Sequence, residues 1–200
     1  MASEIYLGCE QLGGTDWGDY DIEETIELSK SALKIGFHGF DLADCYSLGL
    51  AEKRLSEVIK NSNSRIKFIT KGGIRWKNKI NRAITWKDSS PEYLESAVKN
   101  SIKRLNIGII PIYLIHWHNP KIDIIESLKL LNSLKKNGHI EKIGIANPSI
   151  DWLSNAKVLS LIDHIQVNDN ILKPFPFPNN FEKNKIKFNI SVSSYGILSH

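Results

Sequence analysis

Cysteine is scarce in this 200-residue chain: Cys9 and Cys45 are the only two, too few and too far apart for a disulfide framework. That scarcity fits a reducing compartment, and cytoplasmic localisation is expected. Long apolar runs are missing as well. The longest stretch, IGIIPIYLIHW, is too short to cross a bilayer, so no membrane partner is expected. The first residues, MASEIYLGCEQ, lack the basic-then-apolar layout of a signal peptide. No stripe of basic residues interleaved with aromatics occurs, and the net charge of +4 is spread thinly, densest at Lys135-Lys136 and from Lys183 to Lys187. These read as solvated faces, and nucleic acid is not an expected partner. Neither a GxGxxG fingerprint nor a Walker loop is present.

What is present is an alternation. At 42% hydrophobic and 24% charged residues, the chain has enough apolar material for a sizeable core, and no linker interrupts it. Short apolar runs, EIYLGCEQL, FHGFDLAD, IKFITKGG, IYLIHWH, KIGIAN, HIQVND and FNISVSSYG, alternate with helical patterns. Asp21 and Glu24 have capping-box spacing before a helix that Gly36 closes. AEKRLSEVIK reads as a short helix. Ser90-Pro91 opens a helix with an apolar stripe at Leu94, Ala97, Val98, Ile102 and Leu105. Another runs through Leu128, Leu131 and Leu134 to Gly138, and one more follows Ser149. The proline-broken ILKPFPFPNN after the sixth run is expected to lack a full helix.

Continuous apolar strands separated by helices are the mark of a parallel sheet covered by helices. Seven such units without a phosphate fingerprint favour a (β/α) barrel over a doubly wound sheet. The expected architecture is one partial α/β domain over residues 1–200: an incomplete (β/α)8 TIM barrel of about seven units, lacking the eighth strand and the last helices. Strands one and seven would each keep an unpaired edge, which invites self-association.

In such a barrel the chemistry sits at the C-terminal ends of the strands. Those ends carry Asp41, Asp44 and Tyr46, then Lys71, then His116 and His118, then Asn147, Gln166, Asn168 and Tyr195. Each has a bland reading as a turn former, a strand-end charge or a packed ring. Together they form a chemically coherent set. A tyrosine is a poor acid at neutral pH, with a reference pKa of about 10. A neighbouring lysine ammonium would bring it closer to useful acidity, and a carboxylate such as Asp41 would keep that lysine charged and in place. A histidine beside them would hydrogen-bond and orient a carbonyl oxygen. The set suits protonation of that oxygen while hydride arrives at carbon. A different reading pairs His116 and His118, two apart on a strand, as ligands of a metal-dependent hydrolase.

GFDLADCYSLGLAE, KFITKGG, SPEYLESAVKNSIKRLNIGIIPIYLIHWH, GHIEKIGIANPS, HIQVNDNIL and SVSSYGIL together resemble the aldo-keto reductase superfamily, from about Leu7 to Leu198. The resemblance implies NAD(P)H-dependent reduction of an aldehyde or ketone to an alcohol, or the reverse. Tyr46 would be the general acid, Lys71 its pKa-lowering neighbour, Asp41 the partner of the lysine, and His116 the group that orients the carbonyl. Asn147 and Gln166 would hold the nicotinamide carboxamide of NADP(H), with NAD(H) as an alternative, and Tyr195 would stack on its ring. The expected partner is a small carbonyl or alcohol substrate, with no metal. Asp44 and Glu52 read as loop and helix-start structure. Departures from the family pattern occur at Leu42, Ala146, Pro111 and His118, and the segments that the family places after strand seven, including the loop for the adenosine phosphate, have no counterpart. The competing expectation is therefore a weakly active or inactive relative with a binding or regulatory role.

Overall fold

A computed structural model of the chain describes residues 4–14, 21–60, 66–77 and 84–197. Met1–Ser3 of the expected non-leader start and Leu198, where the family resemblance ends, lie outside the described residues. Seven parallel strands form a curled half-barrel: β1 (Tyr6–Gly8), β2 (Gly39–Asp41), β3 (Lys67–Gly72), β6 (Ile110–Ile115), β7 (Ile140–Ala146), β8 (His164–Asn168) and β9 (Ser191–Tyr195), paired in that order. A separate antiparallel hairpin, β4 (Ile74–Trp76) with β5 (Thr85–Lys87), follows β3. Helices α1 (Ile22–Lys34), α2 (Leu50–Lys60), α3 (Pro91–Leu105) and α4 (Ile124–Lys136) connect the first strands. The short α5 (Ile150–Ser154) and α6 (Ala156–Leu159) precede β8, and α7 (Phe181–Phe188) precedes β9. The expected incomplete barrel is therefore the observed one. Neither β1 nor β9 has a second strand neighbour among the described residues.

The helices start where their caps put them. Asp21 accepts a hydrogen bond from the Glu23 amide at 3.1 Å, Ser90 Oγ from Tyr93 at 3.4 Å, and Asp123 from Ile125 at 2.9 Å. Each side chain satisfies an amide that has no partner within its own helix. The segment after β8 departs from expectation. The prolines of 174–178 do break the chain, yet Phe181–Phe188 forms a two-turn helix once they are passed, anchored by fully buried Phe181 stacked on Phe177 at 4.5 Å.

Strand alternation sorts the side chains into two layers. Phe68, Tyr113, Ile115, Ile143, Ile145, Ile165 and Val167 face the helices and form the large core with Leu94, Val98, Leu128 and Leu131. Ile69, Leu114 and Ala146 face the other way and form a small inner cluster with Tyr6 and Ile112. Lys71 lies two residues beyond Ile69, and Gln166 pairs in register with Ala146, so both continue the inner layer toward the C-terminal ends of the strands.

Buried His164, lower in the β8 inner layer, bridges the last strand pair. Its Nδ1 lies 2.7 Å from Ser191 Oγ and its Nε2 lies 2.8 Å from Ser193 Oγ. Burial, then the charge of Lys142, lowers its pKa from 6.5 to about 4. The folded chain thus holds this imidazole neutral while the unfolded chain protonates it near pH 6.5. Its stabilising contribution is complete above pH 6.5 and is lost as the pH falls toward 4. By pH 5 the loss amounts to about 2 kcal/mol. Urea midpoints at pH 7 and pH 5 should fall further apart for the native chain than for His164→Gln; equal pH dependence in both would contradict the assignment.

Candidate active site

Asp41, at the end of β2, and Lys71, near the end of β3, meet at the centre of the strand ends. Lys71 Nζ donates to Asp41 Oδ1 at 2.6 Å and to the Leu42 carbonyl at 2.7 Å. Gln166 Nε2 donates to the other carboxylate oxygen at 3.0 Å. Only 2% of the Lys71 side chain is exposed, so the carboxylate must compensate almost all of its lost hydration. Burial pulls the pKa of this lysine down, but the Asp41 charge, with Tyr46 and the hydrogen bond to Asp41, outweighs it and holds the pKa above the ordinary lysine value. The backbone supports the pair: Leu42 N donates to Ile69 O at 2.8 Å and Asp44 N to Lys71 O at 2.9 Å, extending the β2–β3 ladder past the strand ends.

Tyr46 follows in a short turn, with Lys71 Nζ 5.2 Å from its ring centroid and the His116 ring edge-on at 5.8 Å. The turn is strained: Ser47 (φ 47°) and Leu48 (φ 57°) both lie in the left-handed region, at a cost of about 1–2 kcal/mol each. The phenol is less acidic than the sequence suggests. Burial pushes its pKa up to about 12, assisted by the Asp41 charge, and the opposing Lys71 charge does not overcome them. His116 is held neutral. Burial, then the Lys71 charge, lowers its pKa well below the usual imidazole value. A neutral imidazole carries one N–H and one lone pair, the state needed to donate to a carbonyl oxygen.

The rim residues are engaged with one another. Asn147, in the left-handed region (φ 53°) just past β7, donates from Nδ2 to the His116 carbonyl at 3.2 Å and accepts from the Tyr195 hydroxyl. Of the expected residues, Asp41, Lys71 and Gln166 are joined directly, Tyr46 and His116 stand in ring contact with each other, and Asn147 and Tyr195 form a pair at the His116 backbone. The side-chain amides of Asn147 and Gln166 carry the donors and acceptors that could hold a carboxamide.

His118 is elsewhere. Strand β6 ends at Ile115, so the strand spacing that would aim both histidines at one ion is not realised. The His118 nitrogens lie 2.8 Å from Ser89 Oγ and 2.8 Å from the Ile122 carbonyl, and its ring packs edge-on against Trp152.

The two acids read as loop and helix-start structure turn out to be buried supports. Glu52, fully buried at the start of α2, accepts from Thr70 Oγ1 at 2.7 Å and from Arg104 Nε at 2.6 Å. Asp44, 1% exposed, accepts from the Tyr93 hydroxyl at 3.3 Å, and its Oδ1 has no hydrogen-bond partner among the described residues. Burial, then the Glu52 charge, pushes its carboxyl well above the usual carboxylate range. Gly49 (φ 88°) lets the chain pass Arg104, since a Cβ there would sit 2.6 Å from Arg104 Cδ. The segment carrying Tyr46 is therefore tied to α3 on both sides, through Asp44–Tyr93 before it and Glu52–Arg104 after it. A sequence signal for this existed: Glu52 sits on the buried face of Ala51, Leu55 and Val58, and Arg104 beside Ser101 and Leu105. A lone charge on each apolar stripe marks a buried pair.

The sequence pattern of the Aldo/keto reductase family matches residues 4–200, and the chain belongs to that family. It is 31% identical over 174 residues to aldo-keto reductase YhdN of Bacillus subtilis, covering 86% of this chain and 51% of the relative. It is 32% identical over 182 residues to an NADH-specific methylglyoxal reductase of Escherichia coli, covering 85% of this chain and 56% of the relative. Among solved structures, a glycerol dehydrogenase, AKR11B4, from Gluconobacter oxydans superposes with a TM-score of 0.83 at 26% identity, over 97% of this chain and 59% of the other. The chain thus spans about half the length of the curated relatives it matches.

Proposed function

We propose that this chain carries the proton-delivery half of a nicotinamide-dependent oxidoreductase that reduces a small aldehyde or ketone to the alcohol, or runs the reverse reaction. The observation that supports it most is the Lys71–Asp41 pair, a buried charge held against the Tyr46 ring beside a neutral imidazole. Membership of the family and the methylglyoxal reductase among its relatives favour a carbonyl substrate.

In this reading a reduced nicotinamide cofactor, NADPH or NADH, supplies the hydride. Asn147 and Gln166 hold its carboxamide and Tyr195 packs on its ring. His116 donates its N–H to the substrate oxygen and fixes the carbonyl in place. Tyr46 gives its hydroxyl proton to that oxygen as negative charge develops there, and Lys71, kept protonated by Asp41, stabilises the phenolate left behind. In the oxidation direction the same groups remove the proton from the alcohol. Buried Tyr46 at about pKa 12 needs that ammonium, since without it the phenolate would stand in a site that disfavours any anion.

The same proposal treats residues 1–200 as one domain and the open edges of β1 and β9 as contact surfaces for a second copy, with Ile5, Ile35 and Ile186 exposed. Among the described residues no helix is long and apolar enough to cross a membrane.

The test is turnover. The purified chain, supplied with NADPH or NADH and a small aldehyde such as methylglyoxal, should form one alcohol per cofactor oxidised. Cofactor oxidation without alcohol, or neither, would sink the proposal in favour of a binding or regulatory role.

A further inference from the structure

We infer that Cys45 is a positioning residue that fixes the tautomer of His116, directing the single imidazole proton to Nε2. The consequence for turnover rests on the carbonyl-reduction reading above; the tautomer itself does not.

Cys45 directly precedes Tyr46, and its Sγ lies 3.6 Å from His116 Nδ1, a contact that joins the β2 exit to the end of β6 across 71 residues. The His116 backbone is held on both sides, and the Tyr46 ring lies against its imidazole. Its amide donates to the Gly72 carbonyl at 2.7 Å, its carbonyl accepts from Asn147 at 3.2 Å, and the Tyr46 ring flanks it at 5.8 Å. Nδ1 is thus committed to the thiol, while Nε2 makes no hydrogen bond to any described residue.

Two protonation patterns are compatible with a sulfur–nitrogen contact. In one the thiol donates to an unprotonated Nδ1; in the other a protonated Nδ1 donates to sulfur. An imidazole lone pair is a good acceptor and a thiol sulfur a weak one, so the first is favoured. Both groups are neutral here: burial pushes the Cys45 thiol up and the His116 imidazole down. With Nδ1 accepting, the proton must reside on Nε2. That is the nitrogen left free to donate to a substrate oxygen, whereas the opposite tautomer would present a lone pair to it and repel it. The role is specific to a side chain with a donor at position 45; valine, one methyl group larger, is apolar and has none.

Tautomers are read directly from long-range proton–nitrogen correlation spectra of the 15N-labelled chain, without cofactor or substrate, with His116→Gln identifying the resonances. The native chain should give the Nε2–H pattern for His116. Cys45→Val should convert it to a mixture of tautomers, and Cys45→Ser, which restores a donor, should return it. Turnover should fall about tenfold in Cys45→Val, in kcat rather than in the KM for cofactor, and recover in Cys45→Ser, the scale of one lost hydrogen bond. An Nδ1–H pattern in the native chain, or an unchanged Nε2–H pattern in a folded Cys45→Val, would overturn the inference. The predicted pattern in a chain without reductase activity would leave the tautomer assignment standing and remove only the carbonyl-reduction reading.

Discussion

Replacing Tyr46 by Phe is expected to lower carbonyl turnover by about a hundred- to ten-thousand-fold while leaving the thermal midpoint nearly unchanged. Only the hydroxyl is lost. The ring keeps its contacts with Lys71 Nζ at 5.2 Å and with the His116 ring at 5.8 Å, and the strained turn at Ser47 and Leu48 is untouched. The effect is large because the two groups that face the Tyr46 ring are poor proton donors. Lys71 is held protonated by Asp41, and His116 is neutral, with a proton suited to hydrogen bonding. In the proposed mechanism the Tyr46 proton would leave only as charge builds on the substrate oxygen. Steady-state rates of the native and variant chains, with circular dichroism to check the fold, decide the matter. Turnover in Tyr46→Phe within a few-fold of the native value would assign the proton to another group.

The second large effect is on stability. Arg104→Met should destabilise the chain by about 3–5 kcal/mol, because it leaves the fully buried Glu52 carboxylate without its countercharge. Among the described residues only Thr70 Oγ1 then remains to hydrogen-bond it. Adding Glu52→Gln to that variant should recover much of the loss, since a neutral amide needs no ion partner. Urea unfolding of the native chain and the two variants gives the comparison directly. If Arg104→Met and the double variant unfold at the same midpoint, the pair is not a coupled unit. The loss should also reach the site, because Glu52–Arg104 and Asp44–Tyr93 bracket the segment that carries Tyr46.

Much of this arrangement is legible in the sequence because it rests on two periodicities. The continuous apolar runs place the strands, and the residues at their C-terminal ends converge once the strands are parallel and side by side. Asp41, Lys71 and Gln166 meet for that reason alone: each is an inward position at the top of the same layer. Other features leave weaker traces. The β4–β5 hairpin consists of two three-residue strands, IRW and TWK, too short for alternation to show. Helix α7 hides behind prolines that end the preceding segment without preventing a helix after it. Strand β6 stops one residue before His116, which separates the two histidines that spacing alone would pair. The acidity of Tyr46 depends on burial, which no local pattern reports, so the balance between Lys71 and desolvation emerges only from the folded site. Asp44 illustrates the same limit, since a charged residue in a turn reads as solvated until its neighbours are known, whereas Glu52 leaves a trace in its place on the apolar face of α2.

In the proposed reaction this mouth would deliver a proton to a carbonyl oxygen while hydride reaches the carbon. Incubating the chain with a reduced nicotinamide cofactor deuterated at its transferable position, together with a small aldehyde, tests it most directly. Mass spectrometry of the alcohol should show one deuterium on the former carbonyl carbon for each cofactor oxidised by the native chain, and almost none with Tyr46→Phe. Alcohol without deuterium, or equal labelling by the native chain and Tyr46→Phe, would contradict the account.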